Sequence, residues 1–553
     1  FGLCVGAAVA SAFVLWSRPE QPLLDSTAVG FFAFLNATFN MTEKEEVDED
    51  MPGLLLSKQL KMKHPIVMIP GIVSSGLELW EADECLGAPN SHFRKRLWGQ
   101  TSMLRIALQN ITCWMHHLKL GPLQADPPNV KLRAATGFDA ADYLLANYWV
   151  WAKLLENLAM IGYDGNSMRL MPYDWRLSFH RLQERDHFFS RLQAEVELLH
   201  EAQGEKVVIV AHSMGVNVWF YFMDWVSKVG RSGAGDSEWI DRHIHSLANL
   251  GGPLLGAMGP LTSLLSGEAH MGAMAVLLAP LLRNLLGEDG NLRMRDVART
   301  WGSLYEILPK GGDSVWGTRT DPTDCRCDLI TRKGKAPLGV TAAMDLLANL
   351  TQKDWESQCS INANEDYCFR EISWDPFRSS LPRAPKLKMF CMYGVGLRTE
   401  RAYSYTEPTS MDSFGQIDYR AHSGSYDASY AMGAIESARM DYGLSTVDGD
   451  GTVPLLSLGY MCKGAWREFQ EMNPGGIKPV VREYIDMSSS VLSDTRGGPK
   501  SAKHVEMLGN HDVIKDVLHI VAGEDNHLSS EDRIFSRIGE ISWRINKRLR
   551  QAR

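Results

Sequence analysis

Residues 206–215 read KVVIVAHSMG, and the chain continues as VNVWFYFMDWVSKV. The β-branched run predicts a short strand buried on both faces, and the segment after it carries apolar residues at helical spacing. Between them, Ala211, His212, Ser213, Met214 and Gly215 place small residues two before and two after a serine. A strand that turns into a helix so abruptly strains the backbone of its central residue, and larger side chains at the flanking positions would not fit. This is the pattern of a nucleophile elbow, with the Ser213 hydroxyl presented at a helix N-terminus. The first small residue is Ala rather than Gly, a departure of one methyl group. A small-x-Ser-x-Gly string also occurs in ordinary turns; the strand before it and the helix after it favour the nucleophile.

Other β-rich runs fall at 64–71 (HPIVMIPG), 386–396 (KLKMFCMYGVG) and 479–487 (PVVREYIDM), with helical stretches between them. This alternation predicts a mostly parallel central sheet with helices on both faces, and with the elbow it points to an α/β-hydrolase fold. The chain has 553 residues. Its candidate catalytic pieces spread from residue 71 to residue 504, so one domain enlarged by insertions is expected rather than a string of domains. The core would begin at 61–250 and resume at 386–553, ending in a helix. Between them, 251–385 loses the strand rhythm and is expected to form a cap, with apolar helix candidates around 261–286. No internal repeat is present.

A lone serine is a poor nucleophile and needs a base that is itself oriented by a carboxylate. In this fold both follow the serine, the acid first. Asp450 lies in Val-Asp-Gly-Asp-Gly-Thr-Val-Pro (447–454), a glycine-rich loop able to aim one carboxylate; Asp448 competes with it. The spacing is not that of a calcium-binding EF-hand loop. His504 and His511 both follow the run at 479–487, and His504 is preferred because it falls where a loop gives way to a helical pattern. An oxyanion hole would combine the backbone N–H of Met214 with that of Ile72, in the turn that Gly71 permits after the first strand.

A net charge of −9 gives no basic footprint for nucleic acid. Residues 1–16 (FGLCVGAAVASAFVLW) are uncharged and apolar. A bilayer span takes about 20 such residues, so they read as part of a transmembrane signal-anchor, with a signal peptide or a core helix as alternatives. Residues 17–60, including the acidic run EKEEVDED at 43–50, read as a linker. Sequons at Asn36, Asn40, Asn110 and Asn349 fit a body exposed to a secretory lumen, where disulfides form. Nine cysteines are too few for a disulfide scaffold, and the C-x-C of Cys325 and Cys327 is a weak metal signal.

Longer segments carry a family resemblance. HPIVMIPGIVSSGLELWE (64–81), SHFRKRLWG (91–99), ITCWMHHLKL (111–120), PYDWRLSF (172–179), AHSMGVNVWFYFM (211–223), LPKGGDSVWG (308–317), MYGVGLRTERAYSY (392–405), DGDGTVPLLSLGYMC (448–462) and SAKHVEMLGN (501–510) resemble the phospholipid:diacylglycerol acyltransferases of the lecithin:cholesterol acyltransferase-like family. The match is poor over 1–60 and 318–375. The resemblance implies Ser213, Asp450 and His504 as the triad, and it favours His504 over His511. It also implies a lid loop at 85–113 closed by a Cys85–Cys113 disulfide, and a second bridge between Cys391 and Cys462. Trp80 and Trp98, near or inside the lid loop, become candidates for lipid contact, with packing as the alternative. Asp174 and Arg176 read as a buried structural ion pair.

The implied reaction is a double displacement that needs no metal or cofactor. Ser213 takes the sn-2 acyl chain of a phospholipid, and diacylglycerol accepts it to give triacylglycerol. The expected setting is the endoplasmic reticulum membrane, single-pass, with the catalytic body in the lumen. Water or a sterol as acceptor would use the same triad. An inactive lipid-binding protein on a hydrolase fold is the alternative of another class, and the intact elbow and triad argue against it.

Overall fold

The apolar runs become strands of one sheet. In the computed structural model, β1 (Ile66–Ile69), β2 (Met168–Leu170), β3 (Val207–His212), β4 (Ile244–Leu250), β5 (Lys388–Val395) and β6 (Pro479–Ile485) lie in the order β6-β5-β4-β3-β1-β2. Every pairing between them is parallel. No residue of β1 or β3 is exposed, as expected of strands covered on both faces. The sequence reading missed β2, which has only three residues, and β4, whose His, Ser and Asn interrupt the apolar run. The structure describes residues 50–87, 92–145, 148–268, 290–317, 328–356, 374–408, 414–421, 440–489, 494 and 496–552. The expected anchor, most of the linker, Asn36, Asn40, Cys325 and Cys327 lie outside them. Among the described residues no helix is long and apolar enough to cross a membrane.

Register sets the site. Ala211 lies beside Ile69 on one side and Asn249 on the other, so β1, β3 and β4 end together. Helix α1 (Phe188–Gln203) precedes β3, α2 (Met214–Lys228) leaves it directly at Ser213, and α3 (His511–Val521) follows β6.

The chain between β4 and β5 is largely helical where described. It includes the fully buried Gly259–Leu265 and the long Val340–Glu356. After β5 a second excursion begins: the strand Leu397–Tyr405 runs out and Leu444–Gly449 returns antiparallel to it, with Leu397 opposite Gly449. The excursion therefore closes where it opened, and it delivers Asp450 to the carboxyl end of β5. Ile330–Arg332, from the first insertion, pairs with Leu397–Tyr405 in the same small sheet. The boundary expected after residue 385 thus cuts through accessory structure that continues to Gly449.

Disulfides join Cys85 to Cys113 and Cys391 to Cys462, with Cα separations of 5.9 and 6.6 Å. The first closes the segment holding the strand Arg96–Trp98 and the helix Gln100–Gln109. The second fastens β5 to the turn Met461–Ala465.

Candidate active site

Ser213 has φ 54° and ψ −131°, outside the regions that L-residues favour. Packing enforces this backbone: the Ser213 N–H donates to Leu250 O at 2.9 Å. A Cβ on Gly215 would lie 2.4 Å from Ile69 O and 2.5 Å from Pro70 O, so only glycine lets α2 leave β3 this close to β1. The Ala at 211 is fully buried between strands, and its extra methyl is accommodated.

The loop after β6 brings His504 over the elbow. Its Nδ1–H donates to Asp450 Oδ2 at 2.6 Å, and the Ser213 hydroxyl donates to its Nε2 at 2.8 Å. Asp450 is fully buried, and its other oxygen accepts from the N–H groups of Thr452 at 3.0 Å and Val453 at 2.7 Å. The His504 N–H donates to Asp450 O at 3.0 Å, so backbone and ring are held by the same residue. Asp448 does other work. Its Oδ1 accepts from Gly396 N at 2.7 Å and Gly449 N at 2.8 Å, stitching the returning strand to the end of β5, and burial raises its pKa. His511 opens α3 and is not part of the line from Ser213 to Asp450.

His212 was not singled out by sequence. It ends β3 fully buried, and its Nε2–H donates to the backbone oxygen of His504 at 2.8 Å. Burial, with the neighbouring His504 ring, lowers its pKa to about 3, so it stays neutral.

The loop after β1 lies against Ser213. A Cβ on Gly71 would sit 2.8 Å from Ser213 Cβ and 3.2 Å from its Oγ. Among the described residues, the backbone N–H groups of Ile72 and Met214 donate to no protein acceptor, as befits donors kept for a ligand.

The two tryptophans separate. Trp80 is 44% exposed and meets the exposed Phe93 edge-on at 5.6 Å, beside the segment closed by Cys85–Cys113. Trp98 is buried, packs on Trp175 at 5.1 Å and donates from Nε1 to Val73 O at 2.7 Å. The expectation that Trp98 contacts lipid is therefore replaced by its packing alternative: it supports the loop over Ser213.

Cys85, Cys113 and His117 lie close enough to hold a metal, but the arrangement does not suit one. Both sulfurs are spent in the disulfide. His117 Nδ1–H donates to Cys113 O at 2.8 Å, and its Nε2 accepts from Asp83 N at 3.1 Å. Asp174 and Arg176 pair at 2.7 Å, both fully buried, and Arg185 reaches Asp174 at 2.6 Å. Burial alone would raise the Asp174 carboxyl, but the two guanidinium groups hold it well below the usual carboxylate range.

A buried Ser-His-Asp line at the carboxyl ends of parallel strands, with a long insertion after β4, is acyl-transfer geometry without a stated substrate. Comparison with known proteins narrows it. A sequence model of lecithin:cholesterol acyltransferase matches residues 92–511. The chain belongs to the lecithin:cholesterol acyltransferase family. The family match takes in Ser213, Asp450 and His504 and begins after Ile72 and Cys85. Within the family, the chain is 35% identical over 508 residues to the phospholipid:diacylglycerol acyltransferase of Schizosaccharomyces pombe, covering 87% of this chain and 76% of that protein. It is 34% identical over 502 residues to that of Saccharomyces cerevisiae, covering 85% and 72%. Phospholipid:diacylglycerol acyltransferase 1 of Arabidopsis thaliana is 32% identical over 593 residues, covering 90% and 86%.

Proposed function

We propose that the chain moves the sn-2 acyl chain of a membrane phospholipid to diacylglycerol, making triacylglycerol and a lysophospholipid. The observation that carries the chemistry is the line of two short hydrogen bonds from Ser213 through His504 to buried Asp450. The names of the similar proteins support the donor and acceptor.

In the first half-reaction Ser213 gives its proton to His504 Nε2 and attacks the ester carbonyl. The carbonyl oxygen becomes an anion, and the Ile72 and Met214 N–H groups receive it. Collapse breaks the ester bond, and the lysophospholipid alkoxide leaves with the proton from His504. A diacylglycerol hydroxyl then gives its proton to His504, attacks the acyl-Ser213 ester and departs as triacylglycerol, with the proton returned to Ser213. Asp450 keeps Nδ1 protonated, so that Nε2 is the free base, and stabilises the imidazolium between steps. The insertions after β4 and β5 would act as a cap that keeps water from the acyl-enzyme.

The setting follows from the same chemistry, since both substrates are membrane lipids. Residues 1–16 supply a signal-anchor, and the two disulfides and the exposed sequons Asn110 and Asn349 suit a body in the lumen of the endoplasmic reticulum. The loop closed by Cys85–Cys113 acts as a lid, and Trp80 with Phe93 offers lipid an amphipathic contact.

The test supplies vesicles of phospholipid labelled in the sn-2 chain, with and without diacylglycerol, and separates the products. Label should pass to triacylglycerol in proportion to diacylglycerol and vanish from it in Ser213→Ala. Label accumulating as free fatty acid with diacylglycerol abundant would overturn the transferase reading in favour of hydrolysis.

A further inference from the structure

The loop from Pro70 to Ser75 crosses Ser213, and most of its carbonyl oxygens are held. Two are held from within: Ser74 N–H donates to Gly71 O at 3.3 Å, and Ser74 Oγ–H to Ile72 O at 3.2 Å. Three are held from outside by aromatic side chains. The Tyr173 hydroxyl donates to Pro70 O at 2.8 Å, Trp98 Nε1–H to Val73 O at 2.7 Å, and Trp175 Nε1–H to Ser75 O at 3.1 Å. All three aromatics are buried.

The loop needs this grip because it is strained. Val73 has φ 55°, a left-handed conformation that a β-branched residue rarely adopts. Such a backbone persists only where its surroundings over-determine it. Each peptide unit points its N–H opposite its C=O, so Trp98 on Val73 O sets the Ser74 N–H, the Ser74 N–H holds Gly71 O, and Gly71 O shares its peptide unit with the Ile72 N–H and aims it. Pro70 O also lies 2.5 Å from where a Gly215 Cβ would stand, so the Tyr173 bond holds it in the gap above the elbow. If the loop relaxed, Val73 would leave the left-handed region and the Ile72 amide would turn with it.

We propose that Tyr173, Trp98 and Trp175 form a carbonyl clamp that positions the Ile72 N–H for the oxyanion. They are positioning residues, touching the loop and not the substrate. The inference rests on the oxyanion reading above and adds the part of the chain that enforces it.

The test compares Tyr173→Phe and Trp98→Phe, each removing one donor and keeping an aromatic ring, with Trp114→Phe. Trp114 is buried in the same aromatic cluster and also donates from Nε1, at 3.0 Å, but to Leu97 O and not to a loop carbonyl. A soluble p-nitrophenyl ester reports kcat and KM, and an alkyl boronic acid, which forms a tetrahedral anion on Ser213, reports the oxyanion site. Tyr173→Phe and Trp98→Phe should lower kcat about 10-fold to 100-fold at nearly constant KM, with boronate affinity falling in parallel. Trp114→Phe should lower the melting temperature alone. Equal losses of kcat in all three would reduce the clamp to general packing, and full kcat in Tyr173→Phe would end it. Ser213→Ala separates the two levels: an active Ser213→Ala sinks the triad reading itself, whereas a dead Ser213→Ala beside a fully active Tyr173→Phe sinks only the clamp.

Discussion

His212 donates from Nε2 to the backbone oxygen of His504 at 2.8 Å, so the residue before Ser213 holds the residue whose Nε2 accepts the Ser213 hydroxyl. His504 is thereby fixed at its N–H and ring by Asp450 and at its carbonyl by β3. Replacing His212 with Phe keeps the bulk and leaves a buried carbonyl without its donor, a loss of about 1–3 kcal/mol. His212→Phe should therefore melt earlier and turn over about 10-fold more slowly as the His504 loop loosens. Gln carries an N–H at similar reach, so His212→Gln should recover part of both. Equal kcat in Phe and Gln variants would show that the bond does not matter to the chemistry.

The two aspartates of the 447–454 loop should respond very unequally to the same substitution. In Asp450→Asn the new amide must face either the His504 Nδ1–H or the two N–H groups of Thr452 and Val453, so one donor meets another. The imidazole is then driven toward the wrong tautomer, and a loss of about 10,000-fold in kcat is expected. Asp448 uses Oδ1 to accept from Gly396 and Gly449, and an asparagine oxygen does the same. Asp448→Asn should stay within about threefold of wild type, since the acceptor geometry survives. Steady-state kinetics on the paired variants decide it, and a reversed order would exchange their roles.

The residues that announce themselves in the sequence are those whose chemistry coincides with a local pattern. Ser213 sits where an apolar strand meets an amphipathic helix, and β1, β5 and β6 are apolar runs that no helix period explains. Asp450 could be ranked only through its loop, because the excursion that delivers it, LRTERAYSY out and LSTVDG back, mixes polar and apolar residues without a strong period. Trp98 and Trp80 looked alike, as amphipathic aromatics near one disulfide, and only tertiary packing separates a buried donor from an exposed ring. Val73 carries no sign that it is left-handed. Tyr173 and Trp175 alternate with Asp174 and Arg176, and nothing local marks the hydroxyl and indole N–H that reach the loop over Ser213.

The two disulfides should differ sharply in access. Cys85 is exposed, whereas Cys391 and Cys462 are both fully buried. Mild reductant followed by alkylation and mass spectrometry should label Cys85 and Cys113 first, with Cys391 and Cys462 protected until the chain unfolds. The inner bridge spans 71 residues of sequence, and a closed loop of that size stabilises by roughly 3–5 kcal/mol. Cys391→Ala with Cys462→Ala should lower the denaturation midpoint accordingly. Early labelling of Cys391 would show that this part of the sheet opens far more readily than its burial implies.

Acid should destabilise the fold before the carboxylates titrate. His64 and His245 stack at 3.8 Å at the start of β1 and β4. Burial lowers both pKa values, and the neighbouring His64 ring helps bring His245 down to about 4. The Lys206 carbonyl, Glu205 and Asp525 pull the other way at His64, and Asp525 does so at His245, without reversing either shift, while Lys63 adds to it for both rings and Lys388 for His245. For a histidine whose folded pKa lies below its unfolded value of 6.5, the unfolded chain binds the proton first as pH drops. Stability is then complete above about pH 6.5 and is lost as pH falls from there through the folded pKa. Between pH 6.5 and 5 most carboxylates stay ionised, so the slope in that window belongs chiefly to buried histidines. Melting temperatures measured at pH 7.5, 6.0 and 5.0 should fall steadily in wild type and less steeply in His245→Gln, which cannot take up the proton. A flat profile, or an identical slope in the variant, would mean that this pair reaches solvent and is charged in the folded protein as readily as in the unfolded chain.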